Sequence, residues 1–306
     1  MLKILDKIAL VTITYNSANI LSKFLDCVWN QTYSNLVLYV VDNFSTDETL
    51  NMLQRTNDSR LVLIKNQSNL GVAKANNQGI TKSIEDGCDH VLIINNDVEF
   101  EPALIEKLIK FQLEKGCSLV APKMMHFDMP NNLWYAGAWF VKNKGYIPLH
   151  RGMNELDKCQ YDKIIQVEYG PTCCLLVKAE VFKDIGFMNE KYFVYFDDTD
   201  FLYRVYRDGR HKMFYFPHVK FYHKVGSLTK SFNTNKDKVY RGDFFIKQNT
   251  RNHVYFLKQI GGLFAYIFIF WLFLKNNIRF IVNPRIRKDF VTWWLINKSY
   301  FQGLRM

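Results

Sequence analysis

The chain lacks the glycine-rich signatures that mark many phosphate-binding folds. No G-x-G-x-x-G follows its first apolar strand and no G-x-x-x-x-G-K-[ST] occurs in its 306 residues, so the dinucleotide and P-loop readings fail. Metal-ligand spacing is missing too. The six cysteines (Cys27, Cys88, Cys117, Cys159, Cys173, Cys174) form no C-x-x-C or paired Cys/His pattern, and most sit among apolar residues. Reduced, buried thiols are expected, and no zinc site. The opening Met-Leu-Lys-Ile-Leu-Asp-Lys breaks any apolar run with charge, which predicts no cleavable leader and a cytosolic bulk of the chain. At 48% hydrophobic and 23% charged, the composition excludes a disordered protein, and the length buries one large core or two modest ones.

Acidic residues are scarce in one place. From Val254 to Met306, eight basic residues (Lys258, Lys275, Arg279, Arg285, Arg287, Lys288, Lys298, Arg305) stand against the single acid Asp289. This stretch therefore holds +7 of the net +11, leaving +4 for the first 253 residues. The basicity flanks the most apolar segment instead of covering a globular surface, so the expected partner is an anionic membrane surface and not nucleic acid. Ile260 to Leu274 is fifteen residues without a charge, fewer than the roughly twenty a spanning helix needs. With cations on both sides and Trp293-Trp294 beyond, in-plane or re-entrant docking at the cytosolic leaflet of a membrane is expected. A helix packed on the preceding domain, or joining two copies, stays open.

What is present is a regular alternation. Ile8 to Thr14 is an apolar strand, and Ile20, Phe24, Leu25 and Val28 then recur at helical spacing. Leu36 to Val41 repeats the strand, and Ser45 stands three residues before Glu48, the capping-box spacing for a helix toward Leu53. A strand at Leu61 to Lys65 leads to a helix over about 72–83. His-Val-Leu-Ile-Ile (90–94) is a continuous apolar run, expected of a strand covered on both faces. Helix over about 104–113 and strand over 118–122 follow. The pattern predicts right-handed crossovers and a doubly wound, mostly parallel α/β sheet, Rossmann-like, with a ligand at the carboxyl ends of its strands.

Polar residues end three of these strands: Tyr15/Asn16, Asp42/Asn43 and Asn95/Asn96/Asp97. Asp42 can accept the ring N–H of a uracil or thymine, Tyr15 can flank the base, and Asp97 can hold a divalent cation against a diphosphate. Each has a capping or turn explanation alone; their common rim favours a nucleotide.

The segments V-T-I-T-Y-N-S (11–17), V-V-D-N-F-S-T-D-E-T (40–49), N-Q-S-N-L-G-V-A-K-A-N-N-Q-G-I (66–80), I-I-N-N-D-V (93–98), F-V-Y-F-D-D-T-D-F-L-Y-R (193–204) and F-Y-H-K-V-G-S (221–227) resemble family 2 glycosyltransferases, in particular the rhamnosyltransferase-like branch that builds bacterial surface polysaccharides. The resemblance covers about 7–230. It implies a GT-A fold, taken over 1–245, and inverting transfer of rhamnose or another deoxyhexose from a dTDP- or UDP-sugar to a polyprenyl-linked saccharide, with Mn²⁺ or Mg²⁺. The basic and apolar remainder, 246–306, is expected from its composition to be a helical membrane-associating segment, and the resemblance makes that membrane the inner one. On this resemblance Thr14, Tyr15, Asn16, Asp42, Asn69, Asn95 and Asn96 bind the donor nucleotide. Asn95-Asn96-Asp97 matches the D-x-D signature with its first carboxylate replaced, leaving Asp97 as metal ligand with His223. Asp198 is the expected base that takes the acceptor's proton, Asp197 supports it, and Asp200 caps a helix or holds a neighbouring cation. The stretch from Met124 to Gln166 reads as a loop region over the site, whose Trp134, Trp139, Tyr146 and His150 could stack on sugar. A nucleotidyltransferase would need cations in the first loop that Tyr15-Asn16-Ser17 does not supply, and a non-catalytic scaffold would not need Asp42, Asp97 and Asp198 together.

Overall fold

The protein is described from a computed structural model, covering residues 6–224, 232–235, 238–283 and 289–306. The expectations placed on residues 1–5, on Val225, Gly226 and Ser227, and on Arg285, Arg287 and Lys288 lie outside the described residues.

The first half alternates as its apolar periodicity requires: β1 (Ile8–Thr14), α1 (Ala18–Trp29), β2 (Leu36–Asp42), α2 (Thr49–Arg55), β3 (Leu61–Lys65), α3 (Val72–Glu85), β4 (His90–Ile94), β5 (Val98–Phe100), α4 (Leu104–Lys115) and β6 (Leu119–His126). The second half adds β7 (Leu133–Tyr135), β8 (Ala138–Val141), β9 (Ile147–His150), β10 (Ile165–Val167), β11 (Cys174–Lys178), α5 (Ala179–Ile185), α6 (Asp197–Asp208), β12 (Met213–His223), β13 (Phe232–Asn235) and β14 (Lys238–Arg241). Three helices close the chain: α7 (Asp243–Ile260), α8 (Gly262–Val282) and α9 (Phe290–Arg305).

One sheet runs β10-β12-β6-β11-β4-β1-β2-β3, with β5 on β12 and β7 on β6. The pairs among β3, β2, β1 and β4 are parallel, as is β6 with β12, whereas β11 lies antiparallel between β4 and β6. The sheet is thus mixed and mostly parallel, with helices on it as expected. All five residues of β4 are buried, the outcome that an unbroken apolar strand covered on both faces demands.

Local details depart from the sequence reading for physical reasons. Helix α1 buries Leu21, Phe24, Leu25 and Val28, so Leu21 takes the inward position expected for Ile20. The capping box at Ser45 and Glu48 does not form. The Ser45 hydroxyl bonds the Asp42 carboxylate at 2.6 Å, and Asp47 instead accepts from the Thr49 N–H at 3.0 Å at the start of α2. A buried carboxylate outcompetes a helix end for a hydroxyl, because a charged acceptor left unsatisfied costs more. The region 124–166 is not an open loop. It carries β7, the β8/β9 hairpin and β10, and Lys123 pins its far part by bonding Asp157 at 3.1 Å as well as Asp162.

The division expected after residue 245 falls inside α7. That helix buries Val254, Tyr255, Phe256 and Leu257, and Tyr255 and Phe256 cluster with Tyr192, Phe196 and Tyr203 of the α/β body. Each large apolar side chain so buried contributes about 1.5–3 kcal/mol. Helix α8 differs: only Ala265, Phe268 and Ile269 are buried along its 21 residues, while Leu263, Ile267 and Phe270 are exposed by 78%, 55% and 60%. Among the described residues it is the one helix long and apolar enough, by length and composition, to cross a membrane. Beside it, α9 exposes Phe290, Val291, Trp294 and Phe301.

Candidate active site

At the carboxyl ends of β1, β2 and β4 lies a cavity of about 590 Å³. Crossovers in a parallel sheet leave their loops at this rim, and the crevice between them is the general ligand position of such folds. Tyr15, Asn69, Asn95, Asn96, Asp97, Asp197, Asp198 and His223 line it. The sequence-expected set thus converges from strands far apart along the chain, with three exceptions.

Thr14, Asn16 and Asp42 are not on the cavity wall. Asp42 is 2% exposed; it accepts bonds from the Thr14 hydroxyl at 2.9 Å, the Ser45 hydroxyl at 2.6 Å and the Ser45 N–H at 3.1 Å. It joins β1 to the loop after β2. Asn16, at a left-handed φ of 53°, accepts from the Thr46 N–H at 2.8 Å and so braces the same loop. Asn43, next to Asp42, is the cavity residue at this point. Its amide donates to Asn69 Oδ1 at 2.9 Å, and its oxygen accepts from Asn66 Nδ2 and Leu70 N, each at 3.0 Å. These bonds shape the loop into Gly71, which has φ 84° and a site where a Cβ would meet the Phe193 carbonyl at 2.5 Å. Only glycine suits both the angle and the approach.

Asp97 and His223 meet because β5 and β12 pair with Val98 opposite His223. His223 Nε2 lies 3.5 Å from Asp97 Oδ1, both residues are buried, and the ring stands edge-on to Trp134 at 4.8 Å. His223 Nδ1 and Asn96 Oδ1 are buried with no hydrogen-bond partner. Among the described residues no group of three or more His, Cys, Asp or Glu side chains gathers for a metal. The pair at Asp97 and His223 offers one oxygen and one nitrogen donor to a cation. It fits a divalent ion whose remaining positions are filled by phosphate oxygens and water, the usual arrangement for Mg²⁺. Asn96 is fixed against β1, its amide donating to Ile13 O and Ser17 Oγ at 3.0 Å each.

On the same cavity, α6 opens with Asp197 and Asp198, after Tyr195 and Phe196 in left-handed conformations. Asp198 Oδ1 accepts from the Thr199 N–H at 2.6 Å, and Oδ2 accepts the hydroxyl of Tyr169. Tyr169 is itself held by the Tyr135 hydroxyl, which donates to its carbonyl at 2.7 Å. Asp197 is 4% exposed; burial, then the charge of Asp198, push its carboxyl well above the ordinary range. Asp200 is not on the cavity. It accepts from Arg204 Nε at 2.9 Å, so of its two expected roles it holds the cation, and burial pushes its carboxyl upward.

Of the four aromatic candidates, Trp134 and His150 line the cavity. Trp139 packs under Arg151, and Tyr146 packs on Tyr203 and Phe264. The sequence reading missed Tyr169 as the partner of Asp198, Asn43 as the loop's hub, and Phe244 and Phe245 of α7 as cavity walls. An Asn between Asp42 and the 66–71 loop was the available signal for Asn43, and the Tyr-Gly-Pro-Thr-Cys-Cys segment (169–174), which the family resemblance puts near the donor sugar and acceptor, was the signal for Tyr169; nothing local marked Phe244 and Phe245.

The family model "Glycosyl transferase family 2" matches residues 9–186. The chain is 23% identical over 208 residues to the low-salt glycan biosynthesis hexosyltransferase Agl10 of Haloferax volcanii, covering 67% of this chain and 63% of that protein. It is 23% identical over 192 residues to the dTDP-rhamnosyl transferase RfbF of Shigella flexneri, covering 63% and 61%. Over 73 residues it is 29% identical to the UDP-Glc:alpha-D-GlcNAc-diphosphoundecaprenol beta-1,3-glucosyltransferase WfaP of Escherichia coli, 24% of this chain and 29% of that one. The chain thus spans less than two thirds of the length of these relatives. Among solved structures it resembles residues 1–349 of S. aureus TarS, with TM-score 0.58 and 16% identity over 97% of this chain and 80% of that one. It also resembles GalNAc-T7 with UDP, GalNAc and Mn²⁺, with TM-score 0.62 and 12% identity over 84% and 48%. These two establish likeness of fold.

Proposed function

This chain belongs to glycosyl transferase family 2, and from that premise we propose that it moves a sugar, rhamnose or another deoxyhexose, from a dTDP- or UDP-sugar to a saccharide carried on a polyprenyl lipid in bacterial polysaccharide synthesis. The observation that carries the reading is that the Asp97 and His223 pair and Asp198 line one cavity.

Inverting transfer needs an acceptor hydroxyl activated on the face opposite the departing diphosphate. Asp198 suits the base: Tyr169 and Thr199 fix both of its oxygens, so the carboxylate keeps one orientation toward the cavity. Asp197, its carboxyl pushed upward by burial, sits behind it as support. Asp97 and His223 would hold Mn²⁺ or Mg²⁺, which when bound supplies positive charge against the leaving diphosphate. Tyr15, 44% exposed at the rim, offers a face for the base, and Asn69, Asn95 and Asn96 offer amides to the nucleotide. Thr14, Asn16 and Asp42 serve the nucleotide by building the loop between them.

Likeness to a dTDP-rhamnosyl transferase and to a glucosyltransferase named for a diphosphoundecaprenol acceptor supports a nucleotide-sugar donor and a lipid-linked acceptor. The exposed apolar residues of α8 and α9, with Lys275, Arg279 and Lys298 among them, support docking at the cytosolic face of an anionic membrane. Incubation with a panel of nucleotide sugars and either cation tests the reading. Slow, metal-dependent release of dTDP or UDP from one donor is expected; a protein that neither binds nor hydrolyses any of them refutes it.

A further inference from the structure

A second cavity, of about 570 Å³, lies beside the first and is lined by Lys191, Lys247, Arg251, Gln302, Arg305 and Met306. Four of the six are cations and none has an acidic side chain; one of the cations, Lys191, donates from Nζ to the Met306 main-chain oxygen at 3.0 Å. Among the described residues Lys247, Arg251 and Arg305 form no ion pair. Arg251 is half-buried, and its guanidinium meets only neutral amide oxygens, Gln248 Oε1 at 2.5 Å and Asn252 Oδ1 at 2.9 Å. Burial works against its charge and nothing acidic offsets it. A guanidinium kept in this condition, with Lys247 and Arg305 likewise without an ion pair on the same space and Lys191 held only by the Met306 oxygen, makes a place where an anion would be stabilised.

The position narrows the anion's identity. Helix α7 carries Phe244 on the wall of the transfer cavity, and Lys247 and Arg251 stand three and seven residues on, along one helix face. At 1.5 Å per residue the Phe244-to-Arg251 offset is about 10 Å. Asn252 ties α7 to the turn lining the first cavity, its amide donating to the Val194 and Tyr195 carbonyls at 2.8 Å each. Lys191 precedes that turn. The two cavities are therefore lined by neighbouring residues of α7 and of the 191–195 segment. On its other side the basic cavity is closed by α9, which also presents the exposed Trp294 and Phe301. Along α7 and α9 the surfaces therefore follow in the order transfer cavity, cationic cavity, apolar helix face.

A saccharide joined through diphosphate to an isoprenoid lipid has the same order of chemistry. We propose that the cavity at Lys191, Lys247, Arg251 and Arg305 is the acceptor's phosphate subsite, holding the diphosphate of a lipid-linked saccharide whose chain runs onto α8 and α9. The inference rests on the lipid-linked acceptor of the preceding section and names what recognises it.

Calorimetry on the full chain, with UDP and Mn²⁺ kept saturating so that the transfer cavity is filled, measures binding of farnesyl diphosphate, of inorganic pyrophosphate and of phosphatidylglycerol vesicles. Farnesyl diphosphate is expected to bind more tightly than pyrophosphate. Arg251→Gln with Arg305→Gln should weaken it at least tenfold, and Lys247→Gln, at an exposed position that leaves the fold alone, several-fold. Vesicle binding should change less than twofold, as should UDP affinity, and the latter also reports that the variants are folded. Unchanged affinity for farnesyl diphosphate in all three variants overturns the subsite. So does equal loss of vesicle binding, which would make it a lipid headgroup site. Donor hydrolysis separates the two failures. Intact hydrolysis with charge-independent farnesyl diphosphate binding removes the subsite alone, whereas charge-dependent binding without any donor hydrolysis removes the transferase reading and leaves a diphosphate site.

Discussion

Acid should loosen the join between the closing helices and the catalytic body, and the amount follows from one histidine. His253 of α7 is 8% exposed, stacked on Phe196 at 5.2 Å and near Phe268 of α8 at 6.2 Å. Its Nε2 lies 2.9 Å from the Gly145 carbonyl, so this nitrogen carries the proton and donates. Burial, the larger effect, and the nearby Lys275 hold its pKa down to about 4 from the ordinary 6.5, against the carbonyl bond that raises it. The unfolded chain then binds a proton below about pH 6.5 that the folded chain refuses until about pH 4. Stability present above 6.5 is lost as pH falls through that window. At 1.36 kcal/mol per unit, the loss is about 2 kcal/mol by pH 5 and about 3 kcal/mol by pH 4. Asp197 acts with the opposite sign, since a carboxyl raised in the fold destabilises as pH rises above its unfolded value. A difference measurement removes it. Urea unfolding of the parent and of His253→Gln from pH 4 to 7.5 should show a gap between the two that changes by those amounts across the window. Parallel pH profiles would refute the reasoning. Gly145→Ala should unlock the same join at every pH, because φ is +71° and the added Cβ would lie 2.4 Å from Phe268 and 2.7 Å from His253 Nε2.

Asp198→Asn cannot accept a proton, so transfer should fall by roughly two to four orders of magnitude with donor affinity nearly intact; turnover within a few-fold of the parent would move the base elsewhere. Tyr169→Phe removes one bond to that carboxylate, worth about 1.5–3 kcal/mol, and should lower kcat by roughly 10- to 100-fold with little change in KM; an unchanged kcat would remove Tyr169 from the site. Asp97→Asn and His223→Gln should each abolish the gain in UDP or dTDP affinity on adding Mn²⁺, while affinity without metal stays near the parent's. An undiminished gain in calorimetry would refute the ligand pair. Asp42→Ala strands the Thr14 and Ser45 hydroxyls and should cost about 1–3 kcal/mol of stability together with nucleotide affinity; a variant as stable as the parent in urea would contradict the bonding described. Leu263→Ser, Ile267→Ser and Phe270→Ser together should prevent flotation with anionic liposomes at low salt, and flotation of the triple variant like that of the parent would exclude α8 as the docking face.

The order of the elements was legible in the chain because it is written in periods. Unbroken apolar runs at Ile8–Thr14 and His90–Ile94 can be satisfied only by burial on both faces, and polar residues at their ends must then meet at one rim. That argument needs no coordinates, and it brought Tyr15, Asn95, Asn96 and Asp97 to one cavity. What it could not decide was partnership. Asp42, Thr14 and Asn16 read as rim ligands, yet donors from residues 45 and 46 take Asp42 and Asn16 into the loop's own structure, and the Thr14 hydroxyl donates to Asp42. Tyr169 meets Asp198 across 29 residues and His223 meets Asp97 across 126, contacts set by which strands pair and in what register. The run of apolar residues in α8 likewise said only that the helix needs cover. Folding supplies that cover to α7, through Tyr192, Phe196 and Tyr203, and leaves most of α8 without it, since a helix is buried by its neighbours in space and not by its own composition.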